Sequence, residues 1–86
     1  MLQKIEVEKI NHKFSDGQEV TLFAPTLGNI RASEKQSDDM SKLVFLLIEM
    51  SRGEMNEEFI NSLPMSEVTE LSNKVAKLMG TNSLKN

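Results

Sequence analysis

The sequence predicts an α+β fold, in which an N-terminal β-hairpin precedes three to four short helices in one small domain. The hairpin is indicated by apolar and polar residues that alternate on both sides of Asp16-Gly17, a dipeptide typical of tight hairpin turns. The helices are indicated by apolar residues that recur at helical spacing after Pro25. A length of 86 residues, with 38% hydrophobic and 27% charged residues, fits a single globular domain. We therefore expect a domain over residues 1–80, with the hairpin in 1–24, the helices in 25–80 and a flexible tail in 81–86.

The first 23 residues show the period-two alternation that is typical of half-buried strands. Apolar residues at positions 5 and 7 alternate with charged residues, and positions 10, 12 and 14 continue the alternation with the opposite parity. Because a shift of one residue exchanges the two faces of a strand, this change predicts a bulge or bend near Glu8-Lys9. We expect a first strand over residues 3–14 and a return strand over Glu19–Phe23.

Residues that favour the N-cap position precede each of the four predicted helices. The helices are expected over about 27–36, 40–52, 57–63 and 67–79, and their caps are Thr26, the SDD segment at 37–39, Asn56 and Ser66. Gly28 weakens the first helix by up to about 1 kcal/mol relative to alanine, so this helix is expected to be short. Gly53 is expected at the C′ position of the second helix, Pro64 ends the third and Gly80 the fourth.

The second helix, expected over residues 40–52, carries the broadest apolar surface in the sequence. Its apolar side chains cover about 260° of the helix circumference, whereas those of the last helix form a stripe about 100° wide. A domain of this size has few elements to cover so broad a face, so the helix is either the centre of the fold or a contact with another chain. In a chain with six methionines, five apolar residues in or near this helix are predicted to bind a partner: Leu46, Leu47, Met50, Met55 and Met65.

The titratable residues show no arrangement that is typical of a catalytic or cofactor site. The absence of cysteine excludes thiolate metal sites, and the single histidine, His12, excludes a multi-histidine cage. His12 lies inside the first strand with no nucleophile at a catalytic spacing, so we expect a surface or half-buried residue. The adjacent acids at 38–39 and 57–58 are explained by the helix starts that they occupy. We therefore expect no enzymatic activity, no cofactor and no metal.

The charge and hydropathy patterns also argue against nucleic-acid and membrane partners. The net charge is −3, the positive residues are interspersed with acids, and no Tyr or Trp is present to stack on bases. The longest apolar run, at 43–48, is far shorter than the roughly 20 residues that span a bilayer. The N-terminus lacks the continuous apolar region of a signal peptide, so we expect a cytoplasmic protein.

Several motifs occur in a distinctive order: the Asp16-Gly17 turn, the PTLGNI segment at 25–30, the apolar helix ending at Arg52-Gly53, and helical segments at 59–63 and 68–80. In this order and spacing, over about residues 5–80, the chain resembles the small tail assembly chaperones of Mu-like and other long-tailed phages and prophages. Asn29 stands where that family usually has an acid. At the N3 position the Asn29 side chain can still help to satisfy the free backbone groups at the start of the helix.

The resemblance implies a non-enzymatic role in tail morphogenesis, namely binding of the tape measure protein and of tail-tube subunits before assembly. It also implies a location in the bacterial host cytoplasm and absence from the mature virion. Two other classes stay open. One is a small DNA-binding regulator or antitoxin-like protein, which would need a basic face. The other is an accessory protein whose broad second helix serves a homo-oligomer.

Overall fold

The computed structural model describes residues 1–80. In chain order the elements are β1 (Lys9–Lys13), β2 (Glu19–Phe23), α1 (Leu27–Ser33), α2 (Asp39–Met50), α3 (Glu57–Asn61) and α4 (Met65–Met79). This order confirms the predicted α+β class, with an N-terminal hairpin followed by four helices. The tail expected at 81–86 lies outside the described residues. Among the described helices, none combines the length and the apolar character that crossing a bilayer requires.

The hairpin forms around the predicted turn, with β1 and β2 antiparallel. Gly17 has a φ of 98°, which glycine adopts without steric penalty, and the Asp16 carboxylate accepts a 3.0 Å hydrogen bond from the Gln18 N–H. One face of the hairpin is buried, and it consists of His12, Phe14, Val20 and Leu22. The even-numbered positions therefore point inward, as the alternation predicts.

The first strand begins at Lys9, later than predicted, because β2 is too short to pair with the earlier residues. Beyond the strand, the Ala24 N–H still donates to the Glu8 carbonyl at 2.7 Å, and the next residue, Pro25, has no N–H to donate. Residues 1–7 make no backbone hydrogen bond with any described residue. The predicted bulge is wrong, since pairing continues in register through Glu8. The change of parity marks the point where the chain leaves the sheet.

Side-chain caps fix the starts of α1, α2 and α3 at the predicted places. The Asn29 N–H donates to Thr26 Oγ1 at 3.2 Å, and the Thr26 N–H donates to Asn29 Oδ1 at 3.0 Å, which completes a capping box. Asp38 and Asn56 accept N–H hydrogen bonds at the starts of α2 and α3. Helix α1 ends at Ser33, before the predicted residue 36, in keeping with the short helix that Gly28 predicts.

Helix α4 begins at Met65 with Pro64 as its N-cap, so the predicted cap at Ser66 is wrong. Proline suits this position because its fixed φ, here −63°, is compatible with a helix start, and its carbonyl accepts the Glu67 N–H at 3.0 Å. Gly80, with a φ of 68°, ends the helix in the left-handed conformation, as predicted.

Helix α2 ends in a Schellman motif whose left-handed C′ residue is Arg52. Ser51 is the C-cap, so Arg52 stands at C′ and Gly53 at C″. Both hydrogen bonds of the motif are present at 3.0 Å, from the Arg52 N–H to the Glu49 carbonyl and from the Gly53 N–H to the Ile48 carbonyl. Arg52 has a φ of 54° and Gly53 has a φ of 85°, so both residues are left-handed. The prediction that Gly53 occupies C′ is therefore wrong by one residue, because the helix ends earlier than expected.

The hydrophobic core gathers around α2, which contacts α1, α3 and β2. Four of the five residues predicted to bind a partner belong to this core, and none of them is more than 7% exposed: Leu46, Leu47, Met50 and Met55. The prediction that they form a partner surface is wrong for the folded domain, because the surrounding elements cover them. The broad apolar face of α2 is explained instead by its central position in the fold.

Candidate functional site

The apolar side chains that stay at the surface lie outside the face of α2 that builds the core. Met65, the fifth predicted partner residue, is 62% exposed at the start of α4. The other large exposed apolar residues are Met1, Leu2, Ile5, Leu27 and Met40. Three of these fall within the first eight residues, which we call the N-terminal segment. This segment therefore concentrates exposed apolar side chains within the part of the chain that the structure describes.

A cleft of about 660 Å³ lies between the N-terminal segment and the end of β2, and we call it the N-terminal cleft. Its apolar lining comes from Ile5, Val7 and Phe23. Its polar and charged lining comes from Lys4, Glu6, Lys9, Thr26 and Arg52. A lining that combines apolar and charged side chains suits a segment of another protein.

Arg52 and Phe23 form a wall that the N-terminal cleft shares with two smaller clefts. The guanidinium carbon of Arg52 lies 3.7 Å from the centroid of the Phe23 ring, which is a cation–π contact. The smaller clefts measure about 370 and 290 Å³ and extend toward Glu54 and Glu49, respectively. The Arg52–Phe23 pair therefore lies where three clefts meet.

The backbone of Arg52 has a conformation that is unfavourable for an arginine. Left-handed backbone costs an L-residue about 1–2 kcal/mol, whereas glycine adopts it without that penalty. A glycine at C′ forms the same Schellman motif, so the motif itself does not require an arginine. Strained residues concentrate at functional sites. A left-handed arginine whose side chain lines three clefts is the feature that best marks this surface as a binding site.

The charged lining of the N-terminal cleft has the opposite sign to the chain as a whole. The chain carries a net charge of −3. The cleft is lined by three cations, Lys4, Lys9 and Arg52, and by one acid, Glu6. Local positive charge in an acidic protein favours a partner segment that brings acidic groups, and it accelerates the encounter.

A second polar site joins β1 to α4, where His12 contacts the side chains of Glu67 and Lys74. Lys74 Nζ donates to His12 Nδ1 at 2.7 Å, and His12 Nε2 lies 3.3 Å from Glu67 Oε1. Because an ammonium group only donates, Nδ1 accepts, and a proton on Nε2 is then directed at the carboxylate. His12 is fully buried, so the expected surface or half-buried position is wrong. The packing of α4 and of the Phe14 ring, 4.6 Å away between centroids, covers it.

The Glu67 carboxylate holds the hairpin turn against α4. Its Oε2 accepts a 2.8 Å hydrogen bond from the Ser15 N–H, while Oε1 faces His12. The hydrogen bond from Ser15, and to a smaller extent the contact with His12, keep the pKa of Glu67 below its ordinary value, although burial acts in the opposite direction. The carboxylate is therefore charged at neutral pH and has a partner on each oxygen.

The cluster of Lys74, His12 and Glu67 aligns an ammonium, an imidazole and a carboxylate, but it offers no access to a substrate. A general acid or base must come within hydrogen-bond reach of the reacting group. The His12 ring is fully buried and both of its nitrogens already face a partner. In this arrangement the cluster acts as a polar clamp between the hairpin and α4.

Glu70 adds a third possible metal ligand to this cluster, since ligand atoms of His12, Glu67 and Glu70 lie within 4.8 Å of one another. A metal ion needs a free lone pair on the imidazole. The lone pair of Nδ1 instead accepts the Lys74 ammonium, whose charge also repels a cation. The cluster therefore does not fit a divalent cation while Lys74 holds this position.

The sequence itself carries a signal for this clamp. His12 occupies an inner position of the alternating strand. Glu67 and Lys74 are seven residues apart, almost two helical turns, and thus share a face of α4 with the buried Leu71. Charged residues within an apolar stripe, together with an inward histidine elsewhere, indicate a buried polar contact. Arg52 gave no comparable signal, because its conformation depends on where α2 ends.

Comparison of the chain with known protein families, with curated proteins and with solved structures finds no match. The resemblance to tail assembly chaperones therefore stays a prediction, and the candidate site rests on its own geometry.

Proposed function

We propose that this protein is a non-enzymatic tail assembly chaperone, which binds apolar segments of the tape measure protein and of tail-tube subunits before they assemble. The observation that best supports a protein-binding role is the N-terminal cleft with its wall of Arg52 and Phe23. The assignment to tail assembly is supported by the order of elements and by the motifs at 16–17 and 25–30 that resemble the family.

The proposed binding mode combines burial of apolar side chains with charge pairing at the charged lining of the cleft. Apolar side chains of the client contact Ile5, Val7 and Phe23, and the area removed from water contributes about 25 cal/mol per Å². Acidic groups beside them pair with the cations of the lining, where the Arg52 guanidinium accommodates a carboxylate with two parallel hydrogen bonds. Small interfaces bind reversibly, and reversible binding suits a chaperone that must release its client. Met65 lies outside the lining of the N-terminal cleft, and its role as a second contact with the client stays a prediction.

Co-expression with the tape measure protein tests the function. The soluble fraction of the client is compared without the chain, with the wild-type chain, with Phe23→Ala and with Lys35→Ala, which removes an exposed cation of the α1–α2 loop. We expect the wild type and Lys35→Ala to keep the client soluble and to co-purify with it. Phe23→Ala, confirmed as folded by circular dichroism, is expected to lose most of this effect.

The two parts of the proposal fail in different ways. The chaperone function is wrong if the wild-type chain does not keep the tape measure protein soluble and does not co-purify with it, and if the same holds for a tail-tube subunit. If the wild type succeeds and folded Phe23→Ala succeeds equally, the function stands but the N-terminal cleft is not the site.

A further inference from the structure

We propose that two copies of this chain associate by antiparallel pairing of their N-terminal segments, with Ile5 of one copy opposite Ile5 of the other. The proposal concerns the isolated chain and does not depend on the proposed function. Residues 1–7 precede Glu8 and β1, and they make no backbone hydrogen bond within the described part of the chain. Leu2 and Ile5 are 97% and 89% exposed. An unpaired segment with strand-like alternation and exposed apolar side chains is suited to pairing with another strand.

The hydrogen bonding of β1 determines which edge of the segment is open. The Glu8 carbonyl accepts from the Ala24 N–H, so the polar backbone groups of Glu8 point toward β2. Along a strand, the backbone groups of successive residues point to opposite edges. In the proposed pairing the segment extends β1 as a strand, so that Gln3, Ile5 and Val7 present their backbone groups at the outer edge. A second copy must pair with these three residues, which restricts the register to odd positions opposite odd positions.

Charge selects one of the remaining registers. With the two-fold axis at Ile5, Lys4 of each copy lies opposite Glu6 of the other, in the non-hydrogen-bonded pairs whose side chains approach most closely. An axis one residue earlier places Lys4 opposite Lys4, and an axis one residue later places Glu6 opposite Glu6. Like charges directly opposite each other are destabilising. The axis at Ile5 is therefore the register that charge complementarity favours.

This register also brings apolar side chains together. The two Ile5 side chains meet on the axis. The hydrogen-bonded pairs are Ile5 with Ile5 and, on either side of it, Gln3 with Val7. These three pairs supply about six backbone hydrogen bonds, two for each pair. So small an interface gives weak association, with dissociation constants of roughly micromolar to millimolar size. Because Lys4 and Glu6 also line the N-terminal cleft, the test uses the purified chain alone.

Sedimentation of the full chain, from about 10 μM to about 1 mM, covers the range expected for such an interface. We expect the wild type to dimerise within this range. Glu6→Lys and Lys4→Glu each place like charges opposite each other twice, and each is expected to raise the dissociation constant by about tenfold or more. The double variant Lys4→Glu/Glu6→Lys restores opposite charges and is expected to return to the wild-type value. Lys35→Glu, which changes the charge outside the segment, is the matched control and is expected to behave as wild type.

A mixed sample of isotopically labelled and unlabelled chains tests the register itself. We expect an intermolecular contact between the α-protons of Lys4 and Glu6, since these protons face each other in a non-hydrogen-bonded pair. A wild-type chain that stays monomeric throughout the concentration range would overturn the proposal. So would single variants that dimerise like the wild type, or a double variant that is no better than the single ones.

Discussion

Substitutions of Arg52 test the origin and the energy of the left-handed end of α2. Replacing an L-residue by glycine at this φ of 54° removes about 1–2 kcal/mol of steric cost, but glycine loses about 0.5–1 kcal/mol more conformational entropy on folding. The net gain from the backbone is therefore about 1 kcal/mol. Both Arg52→Gly and Arg52→Ala lose the contact with Phe23, which contributes about 0.5–1 kcal/mol at an exposed position.

The two variants are therefore expected to differ in stability although both lose the same side chain. Arg52→Ala keeps the strained backbone and is expected to lower the free energy of unfolding by about 0.5–1 kcal/mol. Arg52→Gly is expected to lie within about 0.5 kcal/mol of wild type, because strain relief offsets the lost contact. The difference of about 1 kcal/mol corresponds to a melting temperature about 4–8 °C higher for the glycine variant.

Urea and thermal unfolding followed by circular dichroism measure this difference. Ala76, exposed in α4, provides the matched control, because Ala76→Gly at a helical position is expected to lower stability by about 1 kcal/mol. Glycine is thus expected to be better than alanine at position 52 and worse at position 76. If Arg52→Ala is as stable as Arg52→Gly or more stable, Arg52 does not occupy the left-handed position, and the inference from its strain is wrong.

Three further predictions concern the core, the polar clamp and the rival function. Leu47→Ala is expected to lower the free energy of unfolding, measured in urea, by about 2–5 kcal/mol, since Leu47 is fully buried. A loss as small as that of a surface substitution would contradict the central position of α2. The pKa of Glu67 is lowered by folding, so its charged form stabilises the fold above the ordinary value of 4.5, and this contribution is lost as the pH falls through the lower folded-state pKa. Glu67→Gln is therefore expected to flatten the acid side of the stability profile in urea titrations at a series of pH values, and an unchanged slope would speak against the clamp. In a gel-shift assay at low salt the chain is expected not to bind duplex DNA, whereas a salt-sensitive shift would favour the regulator class.

The parts of the fold that depend on neighbouring residues were predictable from the sequence. The Asp16-Gly17 turn and the caps at Thr26 and Asn56 form through hydrogen bonds to residues within three positions, so local sequence is sufficient to define them. The sequence predicts the C′ position of α2 one residue too late, at Gly53, because Arg52 and Gly53 both lie in the left-handed region. The first of the two left-handed positions usually carries glycine, and here it carries arginine.

The parts that depend on tertiary packing could not be obtained in the same way. A broad apolar helix face is equally compatible with a central helix and with a partner surface, so the burial of Leu47 and Met50 was visible only once the other elements were in place. The two partners of His12, Glu67 and Lys74, lie 55 and 62 residues further along the chain, on a different element. The N-terminal cleft likewise exists because the chain leaves the sheet at Glu8 and passes near Arg52.

The central claim is that the N-terminal cleft binds the client through Arg52. It is tested most directly by calorimetric titration of a purified tape measure segment with wild-type chain, Arg52→Gly and Lys35→Ala. The glycine variant is expected to have near wild-type stability, and it lacks the arginine side chain that lines the cleft. We expect Lys35→Ala to bind as the wild type does and Arg52→Gly to bind at least about tenfold more weakly, the loss expected for a charge-assisted pair. Equal affinity of the wild type and Arg52→Gly would contradict the claim.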